Sequence, residues 1–69
     1  MKVPRFDIFS GTENNARWIE VVEGLDAASM RMEFYAAKFP GKYFVFNCVE
    51  HLIADSIDSS PPPSPNPPA

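Results

Sequence analysis

Residues 24–46 read GLDAASMRMEFYAAKFPGKYFVF, and the hydrophobic period changes within this stretch. Asp26 is a good N-cap, because its carboxylate can accept a hydrogen bond from a free amide of the first helical turn. Ala, Met, Glu, Arg and Lys favour a helix, and the Pro-Gly pair at residues 40–41 ends one. We therefore predict a helix from residue 27 to about residue 39 and an aromatic strand over residues 42–47.

The residues before this stretch predict a β-hairpin. Residues 3–10 place Phe6 and Ile8 on one face at the two-residue period of a strand. Gly and Asn in residues 11–15 tolerate positive φ and mark a turn. Residues 16–23 are rich in Trp, Ile and Val, as expected for a returning strand. The first two strands should therefore pair with each other.

The residues after this stretch add a fourth strand and a tail. Residues 48–51 connect the aromatic strand to a weaker strand over residues 52–57. The order ββαββ predicts an α+β fold, a four-stranded, mainly antiparallel sheet with one helix packed on one face. We assign this small domain to residues 1–58. Residues 59–69 hold six of the eight prolines, and we expect them to form a disordered proline-rich tail.

Composition narrows the class of protein. The 69 residues carry six basic and nine acidic side chains, a net charge of −3. No apolar run approaches the roughly 20 residues of a membrane-spanning helix, and the N-terminus lacks the apolar stretch of a signal peptide. Cys48 is the only cysteine, so no internal disulfide can form. We expect a cytoplasmic protein without a membrane partner.

The apolar residues exceed what one helix can cover. The predicted helix has two apolar stripes at the 3.6-residue period, and a helix on a sheet buries only one of them. We expect the sheet to face Ala28, Met32, Tyr35, Ala36 and Phe39, which leaves Ala27, Met30, Phe34 and Ala37 uncovered. Strict alternation gives the second and the third strand of the chain two apolar faces each: Ile19 with Val21 and Trp18 with Val22, then Tyr43 with Val45 and Phe44 with Phe46.

This surplus predicts a contact surface. A helix-free sheet face and a second helix stripe together exceed the few hundred Å² of apolar patch that soluble monomers expose. We therefore expect a self-associating or protein-binding module, with a homodimer as the commonest form. The alternative is that the first and last strands shield part of the patch. The partner-binding residues that we predict are Trp18, Met30, Phe34, Phe44 and Phe46.

The segment Cys48-Val49-Glu50-His51 could carry chemistry. A Cys and a His three residues apart could form a thiolate–imidazolium pair, oriented by Glu50 or Asp55. A Cys48-dependent enzyme or redox protein is thus one alternative function. A body this small leaves little volume for a substrate cleft, and the chain has no other Cys or His to complete a zinc site. We expect no enzymatic activity, no metal and no cofactor.

An aromatic sheet face suggests a second alternative. Bases of single-stranded nucleic acid stack on such faces, and Trp18, Phe44 and Phe46 could provide one. Binding of the phosphate backbone requires a positive surface, whereas this chain is acidic overall. We keep weak single-stranded nucleic-acid binding as an alternative and expect no nucleic-acid partner.

A wider pattern is carried by Trp18, by Gly24-Leu25-Asp26-Ala27-Ala28 and by Pro40-Gly41-Lys42-Tyr43-Phe44-Val45-Phe46. Over roughly residues 5–57 the chain resembles a group of short uncharacterised bacterial proteins. In these a strand with Trp precedes an Ala-rich helix, and Pro-Gly leads into a Tyr-rich strand. The resemblance implies a shared arrangement of elements. It implies no activity, because that group has no assigned function.

Overall fold

The computed structural model describes residues 3–61. It contains five elements in the order ββαββ: β1 Arg5–Thr12, β2 Asn15–Glu23, α1 Leu25–Lys38, β3 Lys42–Asn47 and β4 Leu52–Asp58. The predicted order of elements is confirmed. Most of the predicted tail, residues 62–69, lies outside the described residues, as do residues 1–2 of the predicted domain. No helix among the described residues is long and apolar enough to cross a membrane.

The four strands form one antiparallel sheet in the order β2-β1-β3-β4. The α+β architecture predicted from the sequence is therefore confirmed. β1 lies in the interior of the sheet between β2 and β3, and Pro4 directly precedes it. Because proline cannot donate a ladder hydrogen bond, the start of a strand is a position that it tolerates.

The junction between β2 and α1 is a single residue, Gly24. Its φ of 88° and ψ of 137° fall in a region of backbone conformation that residues other than glycine rarely adopt. The Gly24 amide donates to the Pro4 carbonyl, and the Gly24 carbonyl accepts the amide of Ala28. The helix thus begins at Leu25 with no side-chain cap. Our prediction of Asp26 as N-cap was wrong, because this direct junction places Asp26 inside the first turn.

The core lies between α1 and one face of the sheet. It comprises Phe6, Ile8, Ala28, Met32, Ala36, Tyr43 and Val45. The helix thus buries most of the stripe that we expected to face the sheet, and Tyr35 is half-buried. Phe39 is the exception, with 58% of its surface exposed. It is the C-cap, with φ −129°, so it has left the helical spiral that would direct it to the sheet.

Both edge strands contain a β-bulge. Ile8 pairs with Glu20 while Phe9 pairs with Trp18, so Ile19 is an extra residue in β2. In β4 the extra residue is Ala54, since the neighbouring pairs are Val45–Asp55 and Phe46–Ile53. A bulge bends its strand and breaks the alternation of side chains.

The bulge in β2 corrects our assignment of its faces. Ile19 and Val22 pack against the core on the helix side. Trp18 and Val21, which pair with Phe9 and Asp7, are exposed on the opposite face. Strict alternation predicted the pairs Ile19–Val21 and Trp18–Val22, and it fails because one residue is inserted between the two halves of the strand.

Ser59 attaches the end of β4 to the helix. Its hydroxyl contacts the Ala36 carbonyl oxygen at 2.7 Å and accepts the Gly41 amide at 3.0 Å. Its own amide donates to the Gly41 carbonyl at 2.8 Å. With the Ser60 amide bonded to the Asp58 carboxylate at 3.0 Å, hydrogen bonds extend two residues beyond β4.

Candidate functional site

The sheet face that α1 does not cover is the candidate site, and we call it the open face. Its apolar side chains come from all four strands: Phe9, Trp18, Val21, Phe44, Phe46 and Ile53. They share one side because Phe9 pairs with both Trp18 and Phe44, and Phe46 pairs with Ile53. The neighbouring residues on β1 and β3, Ile8 and Val45, point into the core instead.

Three phenylalanines form the floor of the open face. The rings of Phe9 and Phe44 stack with centroids 5.0 Å apart and an interplanar angle of 13°. Phe46 meets Phe9 edge to face at 6.4 Å. Such pairs stabilise a structure by roughly 0.5–1.5 kcal/mol beyond the area that they bury. Phe44 is only 7% exposed, whereas Phe9 and Phe46 are half-buried. Phe44 therefore supports the surface more than it presents area to a partner.

Trp18 is the most exposed aromatic residue of the open face. It is 57% exposed, and its indole Nε1 donates a hydrogen bond of 3.2 Å to the Asp7 carboxylate. The indole N–H therefore has a hydrogen-bond acceptor, while the rest of the ring stays accessible. Trp in this state is the kind of residue that is enriched at protein interfaces.

A shallow pocket lies beside these rings. Its volume is about 270 Å³, and it is lined by Phe9, Ala16, Phe44, Phe46, Ile53 and Glu13. Glu13, in the β1–β2 turn, is the only charged residue of the lining. Among residues 3–61 it forms no ion pair. The pocket is thus apolar with a single carboxylate at its rim.

The structure divides the predicted partner-binding residues into two sets. Trp18, Phe44 and Phe46 lie together on the open face, as the sequence analysis predicted. Met30 and Phe34 lie on exposed positions of α1, on the other side of the sheet. The predicted set omitted Phe9, Val21 and Ile53 of the open face. Alternation already placed Phe9 opposite Phe6 and Ile8, whereas Ile53 joins the face through the bulge in β4.

The exposed stripe of α1 is partly covered by cations. The guanidinium carbon of Arg31 lies 5.4 Å from the centroid of the Phe34 ring, and Lys38 Nζ lies 5.7 Å from it. Cation–π contacts of this kind are worth about 0.5–1 kcal/mol at exposed sites. Met30 lines a groove of about 570 Å³ between the helix and β2, together with Val22. This stripe is therefore less apolar than the sequence pattern suggests.

A polar cluster joins α1 to β2. Arg31 donates to the Glu20 carboxylate from Nε at 3.1 Å and from Nη2 at 3.0 Å, and the Tyr35 hydroxyl donates to the same oxygen. These bonds, that of Tyr35 first, hold the pKa of Glu20 below its ordinary value. The same bond to Glu20, together with burial, raises the pKa of Tyr35. The cluster fixes the helix against the bulged strand.

Hydrogen bonds from and to the Asn47 side chain organise the loop that contains Cys48 and His51. The Asn47 side-chain oxygen accepts the amides of Val49 and Glu50 at 3.0 and 3.1 Å. Asn47 Nδ2 donates to the Glu50 carboxylate at 3.2 Å. His51 has a φ of 57°, which closes the turn.

These contacts leave the thiol–imidazole hypothesis without support in geometry. Cys48 is exposed, and within residues 3–61 no hydrogen bond joins it to His51. The His51 ring packs near Phe46, with centroids 6.3 Å apart. Asp55, the other proposed orienting group, accepts a hydrogen bond from the Ser29 hydroxyl at 2.7 Å. The described part of the chain contains no group of three or more His, Cys, Asp and Glu residues that could hold a metal ion.

Comparison of the chain with protein-family models, with curated proteins and with solved structures found no match. The resemblance to short bacterial proteins stays a prediction.

Proposed function

We propose that this chain is a non-enzymatic module that binds protein, either a second copy of itself or another chain, through its open face. The observation that carries the proposal is the set of apolar side chains, Trp18 foremost, that no element among residues 3–61 covers. The helix occupies the opposite side of the sheet. A partner on the open face would complete the second layer that a sheet with two apolar faces requires.

The bulges support a contact through the face rather than through the edges. β2 and β4 are the two edge strands, and each is interrupted near its middle. Bulges twist an edge away and hinder its pairing with a strand of another chain. They also place Trp18 and Ile53 on the open face. The same irregularity thus disfavours edge pairing and enlarges the apolar face.

Covering the open face would gain free energy of the size that association costs. At about 25 cal/mol per Å², covering some 600 Å² of apolar surface gains roughly 15 kcal/mol. Association costs about 4–15 kcal/mol in lost translational and rotational freedom. A partner must therefore cover Trp18 together with its neighbours, since the ring alone would not offset the cost.

As part of this proposal, the module works in the cytoplasm and needs neither a cofactor nor a nucleic-acid partner. The acidic residues beside the aromatic floor outnumber the basic ones: Asp7, Glu13 and Glu23 lie on or beside the open face, against Arg5 and Lys42. They would repel phosphates, so binding to single-stranded oligonucleotides at low salt would contradict this part of the proposal.

Sedimentation velocity on the full chain, from micromolar to millimolar concentration, tests the proposal. We expect the mass to rise with concentration or, in lysate, a partner that cross-links to the wild type. Trp18→Ser should abolish either effect, and Phe46→Glu provides a second variant. Val49→Ser is the matched control, because Val49 is an exposed apolar residue at the tip of the β3–β4 hairpin.

Phe34→Glu distinguishes association through the open face from association through the exposed side of α1. If Phe34→Glu abolishes association while Trp18→Ser does not, the contact uses the helix, and our assignment to the open face is wrong. A wild type that stays monomeric at every concentration and cross-links to no partner contradicts the proposal as a whole.

A further inference from the structure

We propose that the pocket of the open face receives the side chain of an arginine or a lysine from the bound protein. The aliphatic stem would lie on Phe9, Phe46 and Ile53, and the charged head would meet the Glu13 carboxylate. This inference rests on the proposed function, since it names the chemistry of the partner at that same face.

The size of the pocket indicates one side chain. Small-molecule sites usually measure about 300–1,000 Å³, and this pocket, at about 270 Å³, is smaller. It is also open along the sheet, in a depression that continues past Phe44 and Ile53 towards Ser56 and Asp58. A partner backbone can therefore run along the face while one side chain enters the pocket.

The charges near the pocket favour a cation. Glu13 is the single charged residue of the lining and forms no ion pair within residues 3–61. The basic residue that lines the depression is Lys42, which pairs with Asp58 in the sheet. The hydrogen bond from the Ser60 amide, and to a smaller extent the charge of Lys42, lower the pKa of Asp58. Asp7 is bonded to the indole of Trp18, and Glu23 lies at the far end of β2, where it pairs with Arg5. Glu13 is thus the carboxylate left for a partner.

The walls suit the rest of such a side chain. Lys and Arg bury their methylene stems along apolar surface while the charged head reaches a polar group. Aromatic rings also attract cations, and Arg is enriched at protein interfaces. A purely apolar side chain would cover the same walls but would remove water from the Glu13 carboxylate without replacing it. An acidic side chain would be repelled.

Titrations followed by two-dimensional NMR of the full chain test the inference. The probe is N-acetyl-argininamide, and the comparison probes are the uncharged citrulline and norleucine analogues. We expect saturable shifts of the Phe9, Ala16, Phe46 and Ile53 amides with the arginine probe, and weaker or no shifts with the other two. Added salt should reduce the affinity, because a partly exposed ion pair is screened.

Glu13→Gln is the decisive variant, because Glu13 lies in an exposed turn outside the core. We expect its affinity for the arginine probe to fall about threefold, the size expected for a partly exposed ion pair. Glu33→Gln makes the same change of charge on the exposed side of α1 and should leave the affinity unchanged.

The inference is overturned if the citrulline probe binds as tightly as the arginine probe, if no probe shifts these amides, or if both Gln variants behave alike. These outcomes are distinct from a failure of the proposed function. If Trp18→Ser abolishes association but the arginine probe shifts none of the pocket amides, the open face is the binding surface and the proposal of a basic side chain is wrong. A responsive pocket in a chain that contacts no protein would reject the proposed function.

Discussion

The Trp18 indole and the Asp7 carboxylate are joined by a hydrogen bond across the strands β2 and β1, with Nε1 and Oδ1 3.2 Å apart. Trp18 itself pairs with Phe9, so the indole reaches diagonally to the residue two positions before its partner. Diagonal neighbours lie within reach of long aromatic side chains. The bond sets the direction in which the largest exposed ring of the open face lies.

We expect Asp7→Ala to release the Trp18 ring without unfolding the domain. The bond is exposed, so its loss should cost no more than about 1 kcal/mol. Fluorescence anisotropy of Trp18, the only tryptophan, should fall and its quenching by acrylamide should increase. Glu33→Ala removes the same charge from the far side of α1 and should change neither. Equal effects of the two substitutions would mean that the bond does not restrain the ring.

Two methionines of α1 provide a matched test of the core. Met32 is 1% exposed and Met30 is 69% exposed, at positions two residues apart. Met32→Ala should lower the free energy of unfolding by about 2–5 kcal/mol, because it removes buried methylene groups and leaves a cavity. Met30→Ala should change it by less than about 0.5 kcal/mol. Urea unfolding followed by circular dichroism measures both, and similar losses would contradict the placement of the core.

Gly24 and Gly41 provide a matched test of the junction. At Gly24, with φ 88°, an added Cβ would meet only Val3 at 3.7 Å, so the penalty of Gly24→Ala is one of backbone strain. We expect a loss of about 1–3 kcal/mol. Gly41 has no positive φ, and its nearest neighbours lie 3.9 Å or more from an added Cβ. Gly41→Ala should therefore be close to neutral in the same unfolding measurement.

The pKa of Glu20 predicts how stability depends on pH. The Tyr35 hydroxyl, and after it Arg31, lower this pKa from its ordinary value of 4.5. The contribution of the ionised Glu20 to the free energy of unfolding is therefore complete above about pH 4.5. It is lost as the pH falls through the folded-state pKa of Glu20. Glu20→Gln should flatten the acid limb of a plot of unfolding free energy against pH, and Tyr35→Phe should flatten it in part. Glu33→Gln should leave that limb unchanged.

The exposed thiol of Cys48 tests the enzymatic alternative. We expect iodoacetamide to alkylate it near neutral pH at the rate of an unstructured cysteine peptide, because no hydrogen bond connects it to His51 within residues 3–61. His51→Ala should leave the rate unchanged. A rate ten times higher that falls in His51→Ala would indicate an activated nucleophile and contradict the non-enzymatic proposal.

Much of the candidate site could be predicted from alternation alone. Phe44 and Phe46 fall opposite Tyr43 and Val45 by the two-residue period of a regular strand, and the structure confirms this. The same reasoning fails in β2, where Trp18 and Val21 share a face although they are three residues apart. A bulge arises from the pairing of two strands, and neither strand carries a local pattern that announces it.

The sequence by itself determined the kind and order of the elements, because hydrophobic period, Gly and Pro act within a few residues of chain. It predicted β3 over residues 42–47 and the connecting loop over residues 48–51 without error. Only the tertiary structure decided that β1 lies inside the sheet, that both edge strands bulge and that Phe9 and Ile53 complete the open face. Those features depend on contacts between residues far apart in the chain, whose energies no local segment contains.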